Sequence, residues 1–194
     1  MSEKVIPGAL EKNDKLPYQS EVSDLDAFDR GSSCIAYTGV ITSIGTNSET
    51  GTHCVVKEFC PKSIKTKDKQ TITVRRDNKI VVCDSPELWE KKKKQFERDL
   101  KTYLEYCKLY GDFYWPMIPV RDYVPKNNTY YVISEETRGI LLSKYLEDEE
   151  NRTLPKLLKV MNALLTALAR LEKERIVMVD CKPDNMIIEF AFRI

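Results

Sequence analysis

The sequence contains a single histidine, His53, in 194 residues. Ser-His-Asp and Cys-His mechanisms need an imidazole beside the nucleophile, so here they would all rest on His53, which adjoins the apolar residues Cys54, Val55 and Val56. Hydrolase chemistry therefore starts weak. CxxC pairs are absent too: Cys34, Cys54, Cys60, Cys83, Cys107 and Cys181 are scattered. Without ligand spacing, His53, Cys54, Cys60 and Cys83 make a poor zinc set. With no secretion signal, reduced thiols are the simplest state. No apolar run approaches the roughly 18 residues of a membrane span, and none occupies the N-terminus, so a cytoplasmic protein without a membrane segment is expected. A charge excess is also missing. The 31 Lys+Arg and 30 Asp+Glu leave +1, which removes the basic footprint that a nucleic-acid partner would need.

What is present is enough for a core. Hydrophobic residues make up 42%, too many for a disordered chain, and the length suits one domain or two small lobes. Residues 1–23 read as a polar, turn-prone leader. The β-branched and aromatic stretches 34–42 and 53–59 read as a hairpin closed by the Gly/Asn/Ser/Thr-rich 45–52. A second hairpin is expected over 71–83, turning at Arg76-Asp77-Asn78. Over 86–110 the period becomes helical, with Phe96, Leu100, Tyr103, Leu104 and Cys107 on one face. Asp99 falls inside that stripe, where an unpaired carboxylate is costly, so it should have a cationic partner. A third hairpin, 121–124 with 130–134, turns around 125–128. A short helix follows Gly139. A longer, buried helix is expected after Thr153, its cap, with Pro155 in the first turn. Strands, helix, strands, then helices give an α+β fold.

Three features call for one explanation. Lys57 lies mid-strand among Val55, Val56 and Phe59, Asp99 faces inward, and Asp180, Lys182 and Asn185 crowd one loop. Singly, each has a structural explanation: a snorkelling lysine, a carboxylate at the rim of a stripe, and good turn chemistry in Lys-Pro-Asp-Asn.

Together they resemble the eukaryotic-like (Hanks-type) serine/threonine protein kinases of bacteria. The segment D-C-K-P-D-N-M-I-I (180–188) is similar to the catalytic loop H-R-D-L-K-P-x-N. C-V-V-K (54–57) resembles the V-A-I-K strand, K-E-F-C-P-K-S (57–63) the K-E-Y-F-P-K-S stretch, and G-S-S-C-I-A-Y (31–37) the glycine-rich loop. The resemblance covers about 24–194. It implies a protein kinase-like α+β fold: an antiparallel β-sheet N-lobe with one long helix (24–136), then the first helices and catalytic loop of the C-lobe (137–194). It further implies ATP and Mg²⁺ as cofactors, and a protein substrate or partner. Phosphoryl transfer is mainly positioning and electrostatic stabilisation. By the resemblance, Lys57 would hold the α- and β-phosphates and Asp99 would pair with it. Asp180 would accept the substrate hydroxyl proton, Lys182 would steady the γ-phosphate, and Asn185 would bind magnesium. Gly31, Ser32 and Ser33 would cover the phosphates. Ser134 falls at the gatekeeper position, Glu135 and Thr137 would offer backbone to the adenine edge, and Ile35, Cys54 and Met186 would line its walls.

The sequence also departs from that pattern. Arg30 and Ser33 stand where glycines are common, Asp99 is one methylene shorter than the family's glutamate, and Ala36 is small for its place near the adenine. Met178 and Val179 replace the His and Arg before the aspartate, which removes the arginine on which a phosphorylated activation loop would dock. The 194 residues end near where the strand leading to D-F-G would run. On these residues alone, negligible transfer is expected, and a pseudokinase or kinase remnant that binds nucleotide or protein is the alternative. A small-molecule kinase of related fold is disfavoured by the K-P-x-N continuation and by residues 57–63.

Overall fold

The computed structural model describes residues 6–17, 21–42, 51–110, 118–137, 139–177 and 181–189. The chain divides into two compact units, 1–112 with 119–136, and 113–118 with 137–194.

In the first unit, strand alternation sets the architecture. β1 (Leu16–Pro17), β2 (Glu21–Arg30), β3 (Cys34–Thr42) and β4 (Thr52–Phe59) are followed by a smaller sheet of β5 (Ser63–Lys65), β6 (Thr71–Asp77) and β7 (Ile80–Cys83). Helix α1 spans Pro86–Tyr110, and β8 (Val120–Lys126) with β9 (Thr129–Glu135) completes a six-stranded antiparallel sheet in the order β1-β2-β3-β4-β9-β8. The β6–β7 and β8–β9 turns place Asn78-Lys79 and Asn127-Asn128 at positive φ, the left-handed pair that two-residue hairpins use and asparagine tolerates.

The two faces of the sheet differ in kind. Ile35, Tyr37, Val56, Tyr131 and Ile133 are fully buried on one face, where they pack with Ile6, Leu10 and Leu16 from the N-terminal segment and with Ile64, Val74 and Val81 from the smaller sheet. Residues 1–23 are thus no separate leader: from residue 6 the described part contributes core, and β2 runs through the 23/24 boundary. On the other face, α1 stacks Trp89 and Phe96 against Phe59, with ring centroids 5.3 and 4.4 Å apart.

In the second unit, β10 (Ile140–Leu141) pairs with β11 (Ile187–Ile188), and between them lie α2 (Leu142–Glu147) and α3 (Leu154–Lys173). The start of the expected short helix is therefore strand. Thr153 occupies the N-cap position of α3, where its carbonyl accepts from Leu157 N–H at 2.9 Å, but its hydroxyl makes no cap bond. The expectation of a buried α3 also needs correction. Leu154, Leu158, Met161 and Leu165 are all more than half exposed, and only Leu171 is buried. That spacing of apolar positions reads as a packed face, and the exposed one belongs to the same helix.

Candidate functional site

Lys57 sits in β4 with its neighbours fixed by register, opposite Ala36 on β3 and Val132 on β9. Because strand side chains alternate, Lys57 shares a face with Val55, Ala36 and Ser134, and its side chain is exposed. Ser134 is buried, and its hydroxyl donates to the Val55 carbonyl at 3.2 Å. Small apolar residues beside an exposed cation suit a flat aromatic group carrying negative charge.

The same alternation corrects two expected wall residues. Ile35 and Cys54 lie one residue out of phase with Lys57, on the opposite face, at 0% and 1% exposure. They cannot line a pocket with Lys57; the residues that share its face are Ala36 and Val55. Counting in steps of two from Lys57 and Ala36 would have found them. Burial pushes the Cys54 thiol up to about 11 and the Cys34 thiol likewise, so both stay protonated and chemically quiet.

Asp99 also departs from expectation. Its side chain is exposed, and its carboxylate accepts from the Gln95 amide at 2.9 and 3.0 Å instead of pairing with Lys57. The physical reason is angular. At ~100° per residue Asp99 lies about 60° from Phe96, on the flank of the buried stripe, so nothing forces its carboxylate inward. The acid of α1 that does meet the sheet is Glu97. It accepts from Tyr130 and Tyr123 hydroxyls at 2.9 and 3.2 Å and pairs with Lys101 at 2.9 Å. Lys101 and then Tyr130 hold its carboxyl below the usual range.

The Gly31–Cys34 turn joins β2 to β3. Its Gly31 N–H donates to the Cys34 carbonyl at 2.9 Å, and Gly31, Ser32 and Ser33 are exposed. Glu135 ends β9; its N–H is committed to the Pro119 carbonyl at 3.4 Å, and its carboxylate pairs with Arg121 at 2.9 Å. Thr137 is half-buried.

In the second unit, Lys182 and Asn185 are exposed on a single 3-10 turn, Pro183–Asn185. The turn is anchored where half-buried Met186 accepts from Leu142 N–H through its carbonyl at 2.8 Å, next to the β10–β11 pair. Asp180, with Met178 and Val179, lies outside the described residues.

One feature invisible to motif reasoning dominates the buried face. Glu58, neighbour of Lys57, is completely buried. It accepts from Tyr37 at 2.5 Å and Tyr131 at 2.8 Å, and pairs with the Arg76 guanidinium. Arg76 in turn donates to the Gly8 and Lys79 carbonyls at 2.7 and 2.5 Å. Burial, then the Glu58 charge, raises both tyrosine hydroxyls well above their ordinary range, so they remain donors.

No protein-family model matches the chain, and neither does any curated protein. Among solved structures it is similar to the apo form of PpkA-294, a bacterial serine/threonine kinase, at 16% identity with a TM-score of 0.58. The match covers 97% of this chain and 58% of that one, so the chain spans little more than half the length of the structure it resembles. No helix among the described residues is long and apolar enough to cross a membrane. At that identity the likeness establishes the fold alone: the chain has a kinase-like fold.

Proposed function

We propose that this chain is the nucleotide-holding part of a protein serine/threonine kinase domain, with Mg-ATP as its ligand. The observation that carries the reading is the face around Lys57, an exposed ammonium flanked by Ala36 and Val55 in a kinase-like fold. The donor set fits the ligand. Lys57 and Lys182 supply positive charge for a polyphosphate, and the Asn185 side-chain oxygen suits magnesium, a hard cation that prefers oxygen.

In this reading Lys57 holds the α- and β-phosphates, Gly31, Ser32 and Ser33 lie over them, and Lys182 steadies the γ-phosphate. Ser134, Met186 and the backbone of Glu135 and Thr137 border the adenine. Magnesium held through the Asn185 side-chain oxygen would supply neutralising charge for the phosphates. Asp180 takes the proton of a substrate serine or threonine hydroxyl. The hydroxyl oxygen then bonds the γ-phosphorus, and ADP leaves with the bridging oxygen.

A second reading, a binding module that holds nucleotide without catalysis, is favoured by Asp99. Its exposure leaves Lys57 without the helix carboxylate that orients the corresponding lysine in active kinases.

Thermal denaturation tests both readings. Mg-ATP at about 100 times its dissociation constant contributes roughly 2.7 kcal/mol, so the melting temperature should rise by about 5–10 °C. Lys57→Met should abolish the rise. Phosphate transfer to a generic protein substrate, lost in Asp180→Asn, would select the kinase reading, and stabilisation without transfer would select the binding module. No shift with Mg-ATP would overturn both.

A further inference from the structure

The buried face of the sheet, opposite α1, carries a built-in ligand, the protein's own N-terminal segment. Ile6, Leu10 and Leu16 are buried against that face, and β1 pairs only Leu16 and Pro17 with β2. The remaining fastenings are polar and individually small. Leu10 N–H donates to the Tyr37 hydroxyl at 3.1 Å, Arg76 reaches the Gly8 carbonyl at 2.7 Å, and Lys126 reaches the Lys15 carbonyl at 2.5 Å. Arg30 binds the Pro7 carbonyl, and Lys79 pairs with Asp14 at the surface.

Two of these fastenings end on the groups that hold Glu58. Tyr37 takes the strap's Leu10 N–H and gives its own proton to Glu58, while Arg76 clamps Gly8 and Glu58 together. Glu58 is the residue after Lys57 on β4, and Tyr37 and Tyr131 tie it to β3 and β9. We infer that residues 6–17 form a removable strap which positions Lys57 through Glu58, so that undocking the strap loosens β4 and weakens nucleotide binding. The nucleotide half of this inference rests on the function proposed above; the mechanical half does not. The strap has only one two-residue strand pairing to the sheet, and a segment with so little ladder opens at lower free energy than a core strand, which makes its docking available as a control point.

The test perturbs the strap through an apolar side chain and leaves the polar side chains of the hub, Glu58, Tyr37, Tyr131 and Arg76, unchanged. In the full chain, Leu10→Asp places a charge in the strap's apolar contact. Amide hydrogen exchange should then rise about tenfold both in residues 6–16 and in Val55–Phe59, and the Mg-ATP dissociation constant should weaken about fivefold. Faster exchange in the strap, with β4 exchange and ATP affinity unchanged, overturns the inference. If the unmodified protein binds no Mg-ATP, the functional proposal falls, while joint or separate exchange of strap and β4 still decides the mechanical claim. Should Leu10→Asp fail to fold, native-state exchange of the unmodified chain in low denaturant replaces it. There, β4 amides exchanging through the strap's own opening support the inference, and β4 protected while the strap opens overturns it.

Discussion

Replacing Arg76 with methionine should unfold this protein more readily than any surface change, at a cost of about 3–5 kcal/mol. Glu58 has no access to water, and Arg76 is the cation that pairs with it. Removing the guanidinium leaves a buried carboxylate compensated only by the Tyr37 and Tyr131 hydroxyls. It also orphans the Gly8 carbonyl that holds the strap. Set against total stabilities of about 5–15 kcal/mol, the loss should lower the melting temperature by about 10 °C. The double variant Arg76→Met with Glu58→Leu should be less damaging than Arg76→Met alone, because it removes the uncompensated charge as well as its partner. Urea denaturation of the single and double variants reads this coupling directly.

The second large effect is expected at Gly139, in the other unit. A Cβ there would lie 2.4 Å from the Ile188 carbonyl oxygen and 2.6 Å from the Ile187 side chain. The nearer atom is backbone and cannot rotate away. Gly139→Val should therefore separate β10 from β11, a pairing of only Ile140 with Ile188 and Leu141 with Ile187. The Leu142 N–H to Met186 carbonyl bond lies beside that pairing, and it anchors the turn that presents Lys182 and Asn185. Overpacking of this kind costs about 1–3 kcal/mol. Amide exchange should accelerate in residues 140–142 and 186–188 while β3 and β4 stay protected. Unchanged exchange across both strands would show that the close approach is not what holds the turn.

The regular elements were legible because their periods are. Alternation in β3 and β4, the paired asparagines of the β8–β9 turn and the apolar stripe of α1 each announce themselves within one short window. The strap was missed because Ile6, Leu10 and Leu16 follow no period and are punctuated by Pro7 and Gly8, which makes the segment read as polar leader. β10 is two residues long, too short for any period to register. The hub around Glu58 was out of reach for a different reason. Tyr37, Arg76 and Tyr131 lie 21, 18 and 73 residues away in the chain, and only the folded sheet brings them together.

At the candidate site the difficulty was phase rather than identity. Lys57 was singled out by motif, and the resemblance set Ile35 and Cys54 beside it, but alternation assigns its face to Ala36 and Val55. Asp99 was read as inward because its angle approaches the apolar stripe, and the helix resolves that angle as rim. Both corrections leave the cation exposed and change only its surroundings.

A nucleotide carrying a reactive acyl group on its terminal phosphate would test the central claim most directly. A lysine amine near the phosphates attacks the acyl carbon, forming an amide and releasing ATP, and mass spectrometry of the digested protein then identifies the modified residue. The account predicts acylation concentrated on Lys57 and suppressed by excess Mg-ATP. Acylation spread over exposed lysines such as Lys91, Lys92 and Lys94, and indifferent to Mg-ATP, would contradict it.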